Sequence, residues 1–133
     1  MRSIIVGYID TPAGHAALER ALEEAKLRSA QLVIVNSMYG ENRESDEEYI
    51  DSRRALDAVE AQMAAKGVAA VVHQYVRGQT PAQDLCRAAE EFDAELIVIG
   101  TRRRTATGKI LLGSNALEIL HDAPCPVLCI RVT

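Results

Sequence analysis

Between Gly100 and Asn115 the chain gathers residue types that can hold an anion: Gly100, Gly108 and Gly113, the hydroxyls of Thr101, Thr105, Thr107 and Ser114, and the cations Arg102, Arg103, Arg104 and Lys109. Glycines let backbone amides approach a phosphate closely, and a helix opening at about Asn115 turns the positive end of its dipole to the same place. The same residues also compose an ordinary solvent-facing loop, with glycines making turns and arginines solvated, and residue types alone leave both readings open. The stretch is not a P-loop, because Gly108-Lys109 is followed by Ile110 and Arg103 stands where the first glycine of that motif belongs. No G-x-G-x-x-G follows the first strand either.

Other reactive side chains are scattered. His15, His73 and His121 have no metal-ligand spacing with one another or with Cys86, Cys125 and Cys129. Cys125 and Cys129 are separated by Pro126-Val127-Leu128, which is not the C-x-x-C redox spacing, so all three cysteines read as buried structural residues of a reducing compartment. The acidic cluster Glu41, Glu44, Asp46, Glu47 and Glu48 lacks a calcium-loop pattern and reads as a solvated loop entering a helix. Arg102-Arg103-Arg104 has no interleaved aromatics and sits in a chain of net charge −4, so nucleic acid is not an expected partner. No catalytic residue and no metal site is expected.

These residues need a scaffold, and the hydrophobic pattern supplies one. The 133 residues are 48% hydrophobic and 26% charged, a composition that removes collagen-like, low-complexity and disordered classes and reads as one domain over 1–133. Strand-like runs fall at Ile4–Tyr8, Leu32–Ser37, Val68–Val76, Leu96–Gly100 and Val127–Val132. The spacing predicts helices from Pro12 to Arg28, from about Glu47 to Lys66, from Pro81 through Phe92 and from Asn115 to His121. The first opens on Thr11-Pro12, an N-cap and first-turn pair; in it Ala17, Leu18, Ala21, Leu22 and Ala25 form the apolar face, and Glu19, Arg20, Glu23, Glu24 and Lys26 point elsewhere. The second buries Leu56, Val59 and Met63 and stops at Gly67, and the third opens on a capping box, Thr80-Pro81-Ala82-Gln83. The fourth is expected to carry Leu117 and Leu120 inward.

Alternating strands and helices require right-handed crossovers and hence a parallel sheet with helices on both faces. The expectation is a doubly wound, open five-stranded α/β sheet of order 3-2-1-4-5, Rossmann-like, whose ligand site lies at the carboxyl ends beside the reversal between strands 1 and 4. That is where the loop after strand 1 and the Gly100–Asn115 segment would converge.

The opening Ile4-Ile5-Val6-Gly7-Tyr8, the segment Leu96-Ile97-Val98-Ile99-Gly100-Thr101-Arg102, the pair Gly113-Ser114 and the closing Ala123-Pro124-Cys125-Pro126-Val127-Leu128 resemble the universal stress protein family over essentially the whole chain. Many members bind ATP through G-x2-G-x9-G-[ST]. Gly100 fills the first position, Arg103 replaces the second glycine, and after nine intervening residues Gly113 and Ser114 complete the pattern, with Asn115 next in line. Arg103 either blocks the backbone from a phosphate or meets the phosphate with its own guanidinium. Members commonly carry an Asp directly after strand 1; here that slot is Ile9, with Asp10 one place later, and Asp10 is read as a cap of the first helix with ligand contact as the alternative. The resemblance also puts Val35 and Asn36 beside the base.

What the resemblance implies is a homodimeric adenine-nucleotide (ATP) binding or sensing module of the stress response, with Mg2+ accompanying the nucleotide and at most slow ATP hydrolysis. Pairing of Val127–Val132 with its twin would cover an aliphatic edge strand. The alternative is a stress protein that has lost the nucleotide and works through protein partners. Neither a signal-peptide pattern nor an apolar run of about 20 residues occurs, so the expected place is the cytoplasm and not the membrane.

Overall fold

The computed structural model describes residues 2–37, 46–75, 79–101 and 112–132. Along the chain run β1 (Ser3–Gly7), α1 (Pro12–Arg28), β2 (Gln31–Ser37), α2 (Asp46–Ala65), β3 (Ala70–Tyr75), α3 (Pro81–Glu91), β4 (Ala94–Thr101), α4 (Ser114–Asp122) and β5 (Val127–Arg131). All four ladders are parallel and the sheet order is β3-β2-β1-β4-β5. This is the expected doubly wound topology, with its reversal of winding at β1 and β4.

Strand periodicity of two divides the core into layers. Ile4, Val6, Leu32, Ile34 and Val98 meet α1 and α2, the latter through Leu56, Val59 and Met63. Ile5, Val33, Val35, Ile97 and Ile99 meet α3 and α4 on the other face. The central strands are buried on both sides, which is why they read as unbroken aliphatic runs.

The helix ends follow local chemistry. Thr11 caps α1, its hydroxyl accepting from the Gly14 N–H at 3.0 Å with Pro12 in the first turn. The same helix closes with the Ala30 N–H on the Ala25 carbonyl at 2.9 Å and Ser29 in the left-handed region at φ 53°. α2 closes in the same way, with the Val68 N–H on the Met63 carbonyl at 3.3 Å and Gly67 at φ 89°. In α3 both capping-box bonds are made, Gln83 N–H to Thr80 Oγ1 at 3.1 Å and Thr80 N–H to Gln83 Oε1 at 2.9 Å.

Two expectations about helix faces fail. Leu117 and Leu120 are 55% and 45% exposed, and α4 instead meets the sheet through buried Ile119, flanked by Ala116 and Ala123. The flanking alanines are small enough to bring α4 close, and that face, not the leucine face, is the one the short helix can seat. Glu24 is buried on α1, because Arg20 Nε at 3.0 Å and Arg28 Nε at 3.1 Å hold its two carboxylate oxygens. The Arg20 hydrogen bond, then that of Arg28, holds this carboxyl below the usual range against the opposing effect of burial.

Candidate functional site

A cavity of about 230 Å³ opens at the carboxyl ends of the strands, beside the reversal of winding. Its floor is the end of β1 and β4, Gly7 with Ile99 and Gly100; one wall is the first turn of α1, Ala13 and Gly14. The opposite wall is Val35 and Ser37 of β2 with Pro81 and Leu85 of α3, and α4 closes it with Asn115, Ala116 and Ile119. Tyr8 and Ile9 border it from the loop after β1.

Three glycines make this space. A Cβ on Gly100 would lie 2.1 Å from the Ala13 carbonyl oxygen, and one on Gly14 would lie 1.9 Å from that of Ile9. Both are backbone-to-backbone approaches, so neither position tolerates a side chain without moving α1. On Gly7 a Cβ would come within 3.0 Å of Leu85 Cδ1. Gly100, singled out for phosphate approach, therefore has a packing duty as well. No motif in the sequence marks Gly14, although a glycine at the third position of an otherwise alanine-rich helix is the signal for a close crossing.

Of the residues expected at the site, Val35, Gly100 and Asn115 border the cavity. Gly113 is the N-cap of α4 and Ser114 its first residue. With no side chain at Gly113, no side-chain cap bonds the first amides of α4, at the positive end of the helix dipole. Arg103 lies outside the described residues, as do Arg102, Arg104, Lys109, Glu41, Glu44 and Val76.

Asp10 differs from its expected role. Thr11 occupies the cap position, while the Asp10 carboxylate, 90% exposed, pairs with His15 Nε2 at 2.8 Å and does not line the cavity. The residue that borders the space is Ile9, whose carbonyl accepts from Thr11 N–H at 2.8 Å and whose backbone crosses Gly14. His15 also receives the buried Tyr8, whose hydroxyl is 3.4 Å from Nε2 and whose ring meets the imidazole edge-on at 5.3 Å. Burial, then the Asp10 charge, pushes the Tyr8 phenol above its usual range.

Asn36 also departs from expectation. Alternation along β2 turns it to the α2 side, where its amide donates to the Tyr8 carbonyl at 3.0 Å and its oxygen accepts from Gln74 at 3.3 Å. The cavity instead receives Ser37, one step further and in phase with Val35. Ser37 donates its hydroxyl hydrogen to Asp84 Oδ2 of α3. Asp84 is 3% exposed, and burial raises its carboxyl against the lowering effects of the Ser37 bond and the Arg87 charge. A phase count along β2 would have found Ser37; nothing in the sequence marks Asp84 as its partner.

The cavity is thus apolar in its walls, with a half-buried serine backed by a buried aspartate at the β2–α3 end and a helix N-terminus at the other. It suits a flat ring with an anionic tail. Among the described residues no group of three or more His, Cys, Asp or Glu could hold a metal ion. Of the three cysteines expected to be buried, Cys86 is, while Cys125 and Cys129 are half-buried; all three are free, and burial raises their thiols, which makes poor nucleophiles of them. No described helix is long and apolar enough to cross a membrane.

Known proteins share both sequence and architecture with this chain. A universal stress protein of Mycolicibacterium smegmatis is 39% identical over 132 residues, covering 96% of each chain. A solved universal stress protein from Archaeoglobus fulgidus superposes with a TM-score of 0.83 at 34% identity, covering 98% of each chain. The universal stress protein from the same organism in complex with dAMP gives 0.78 at 31% identity, again over 98% of each chain. The model of the universal stress protein family matches residues 1–131, and the chain belongs to that family.

Proposed function

We propose that this universal stress protein binds an adenine nucleotide in the cavity between the β1 and β4 ends and acts as a nucleotide-binding or sensing module. The observation that carries the reading is the joining of an apolar cavity at the switch point to the uncapped N-terminus of α4. A relative of 31% identity was solved with dAMP, which supports the same ligand class here. At about 230 Å³ the cavity is smaller than the roughly 300–1,000 Å³ that encloses a whole drug-sized ligand. It holds the base beside Val35, and the sugar and phosphates extend towards Gly100, Gly113, Ser114 and Asn115. Asp10, held on His15, has no part in it.

The role is holding the ligand. No Asp, Glu, His or Lys is among the described residues bordering the cavity, so no described side chain there can activate water. Titration calorimetry of nucleotide-stripped protein with magnesium ATP tests the proposal, and saturable binding near one nucleotide per chain is expected.

A second reading, a partner-binding stress protein without nucleotide, draws on Ile9 bordering the cavity where a carboxylate is common in the family. Absence of heat in that titration, and no gain in melting temperature with millimolar ATP, would favour it. In either reading we propose a cytoplasmic homodimer paired along β5, one of the two edge strands of the sheet.

A further inference from the structure

We propose that Ser37 and Asp84 form a base-reading pair at the β2–α3 end of the cavity, one that offers hydrogen-bond acceptors only and selects a purine with a 6-amino group over one with a 6-oxo group. The inference rests on the nucleotide reading above and adds to it the side chains that tell one base from another.

Val33, Val35 and Ser37 share the sheet face turned to α3, and Ser37 is the last of them, at the cavity wall. A serine hydroxyl has one hydrogen. Here that hydrogen goes to Asp84 Oδ2, so what Ser37 turns to the cavity is oxygen lone pairs. Asp84 takes that hydrogen on Oδ2, and it is shut in at 3% exposure on the same helix that supplies Pro81 and Leu85 to the wall. Neighbouring wall groups, Val35, Pro81 and Leu85, are aliphatic, so a ligand carbonyl placed there meets the acceptor oxygen of Ser37 and no donor, and its own lost hydration is not repaid. An amino group donates to Ser37 and completes the chain N–H to Ser37 to Asp84.

A simple tie between β2 and α3 would use the same bond but would show no preference between bases, and this separates the two roles. The experiment compares the affinities of ATP and inosine triphosphate, which differ at the 6-position, for the parent, Ser37→Ala and Asp84→Asn, with each variant's melting curve recorded. The parent is expected to favour ATP by about tenfold. Ser37→Ala should bring the ratio close to one. Asp84→Asn, nearly the same shape, lets the amide donate to Ser37 and frees the hydroxyl hydrogen to point into the cavity, so the preference should shrink or turn towards the inosine nucleotide. Equal binding of both nucleotides by the parent, or an unchanged ratio in folded Ser37→Ala or Asp84→Asn, overturns the base-reading pair while the nucleotide site stands. Failure of the parent to bind either nucleotide overturns the site and the pair together. Should Ser37→Ala not fold, the parent ratio and the isosteric Asp84→Asn still decide.

Discussion

Gly100 and Gly113 look alike in the sequence pattern but answer to different physics. Gly100 sits where a Cβ would press on the Ala13 carbonyl oxygen at 2.1 Å, so Gly100→Ala should cost about 1–3 kcal/mol of unfolding free energy in a urea titration, whatever happens to ligand binding. Gly113, at φ −71° and ψ 168°, has a backbone any residue can adopt. Gly113→Val should therefore keep the fold, with only the loss of a good N-cap, and abolish nucleotide affinity if backbone approach at the α4 end carries the phosphates; retained calorimetric affinity in that variant would remove Gly113 from the site. The carboxylates differ as well. Glu24 is lowered by Arg20 and Arg28, so its contribution is fully present above its ordinary value of 4.5 and is lost as the pH falls through its lower folded value. Asp84 is raised from 3.8, the opposite sign: its ionisation on raising the pH costs stability. Melting curves should show Glu24→Gln flattening the acid limb of stability below about pH 4.5 and Asp84→Asn leaving neutral-pH stability equal or higher.

At the scale of elements, what could be read from sequence was what local chemistry fixes. α1 begins at Pro12 after Thr11 and α3 at Pro81 after Thr80, because a capping hydroxyl and a proline in the first turn are signals confined to a few adjacent residues. The apolar faces of long helices were legible too, since three to five apolar positions recur at helical spacing. α4 was not: in nine residues the larger leucines outweigh the alanines in any count of hydrophobicity, and only the available space under the helix decides for Ala116, Ile119 and Ala123. Likewise the cavity side of β2 depended on a phase that slips by one residue between Asn36 and Ser37, and the Ser37–Asp84 contact joins positions 47 apart. One element end carries removable strain. Ser29, exposed and left-handed at φ 53°, holds the place where glycine is the usual terminator, so Ser29→Gly should raise stability by about 0.5–1 kcal/mol in chemical denaturation.

For the whole molecule the open question of physics is the edge at β5. The strand pairs with β4 on one side, and its aliphatic side chains serve both layers, Leu128 and Ile130 on the α1 side and Val127 and Cys129 on the other. Its backbone alternates likewise. The Val132 N–H donates to the Thr101 carbonyl at 2.8 Å and the Pro126 carbonyl accepts from Ile97 at 3.0 Å, so the even-numbered residues face β4 and the odd-numbered ones, Cys129 and Arg131, turn their N–H and C=O groups to the open edge. Proline at Ile130 would break the β4 ladder and with it the sheet, and it says nothing about association. Proline at Cys129 removes a donor only from the outer edge, at the centre of the five-residue strand. If two copies pair along β5, Cys129→Pro should keep the parent's far-ultraviolet circular dichroism and elute with half its mass by light scattering, while Ile130→Pro should lose thermal stability first. A Cys129→Pro protein that remains dimeric would place the contact between copies on another surface, and the exposed Leu117 and Leu120 of α4 would be the next to substitute.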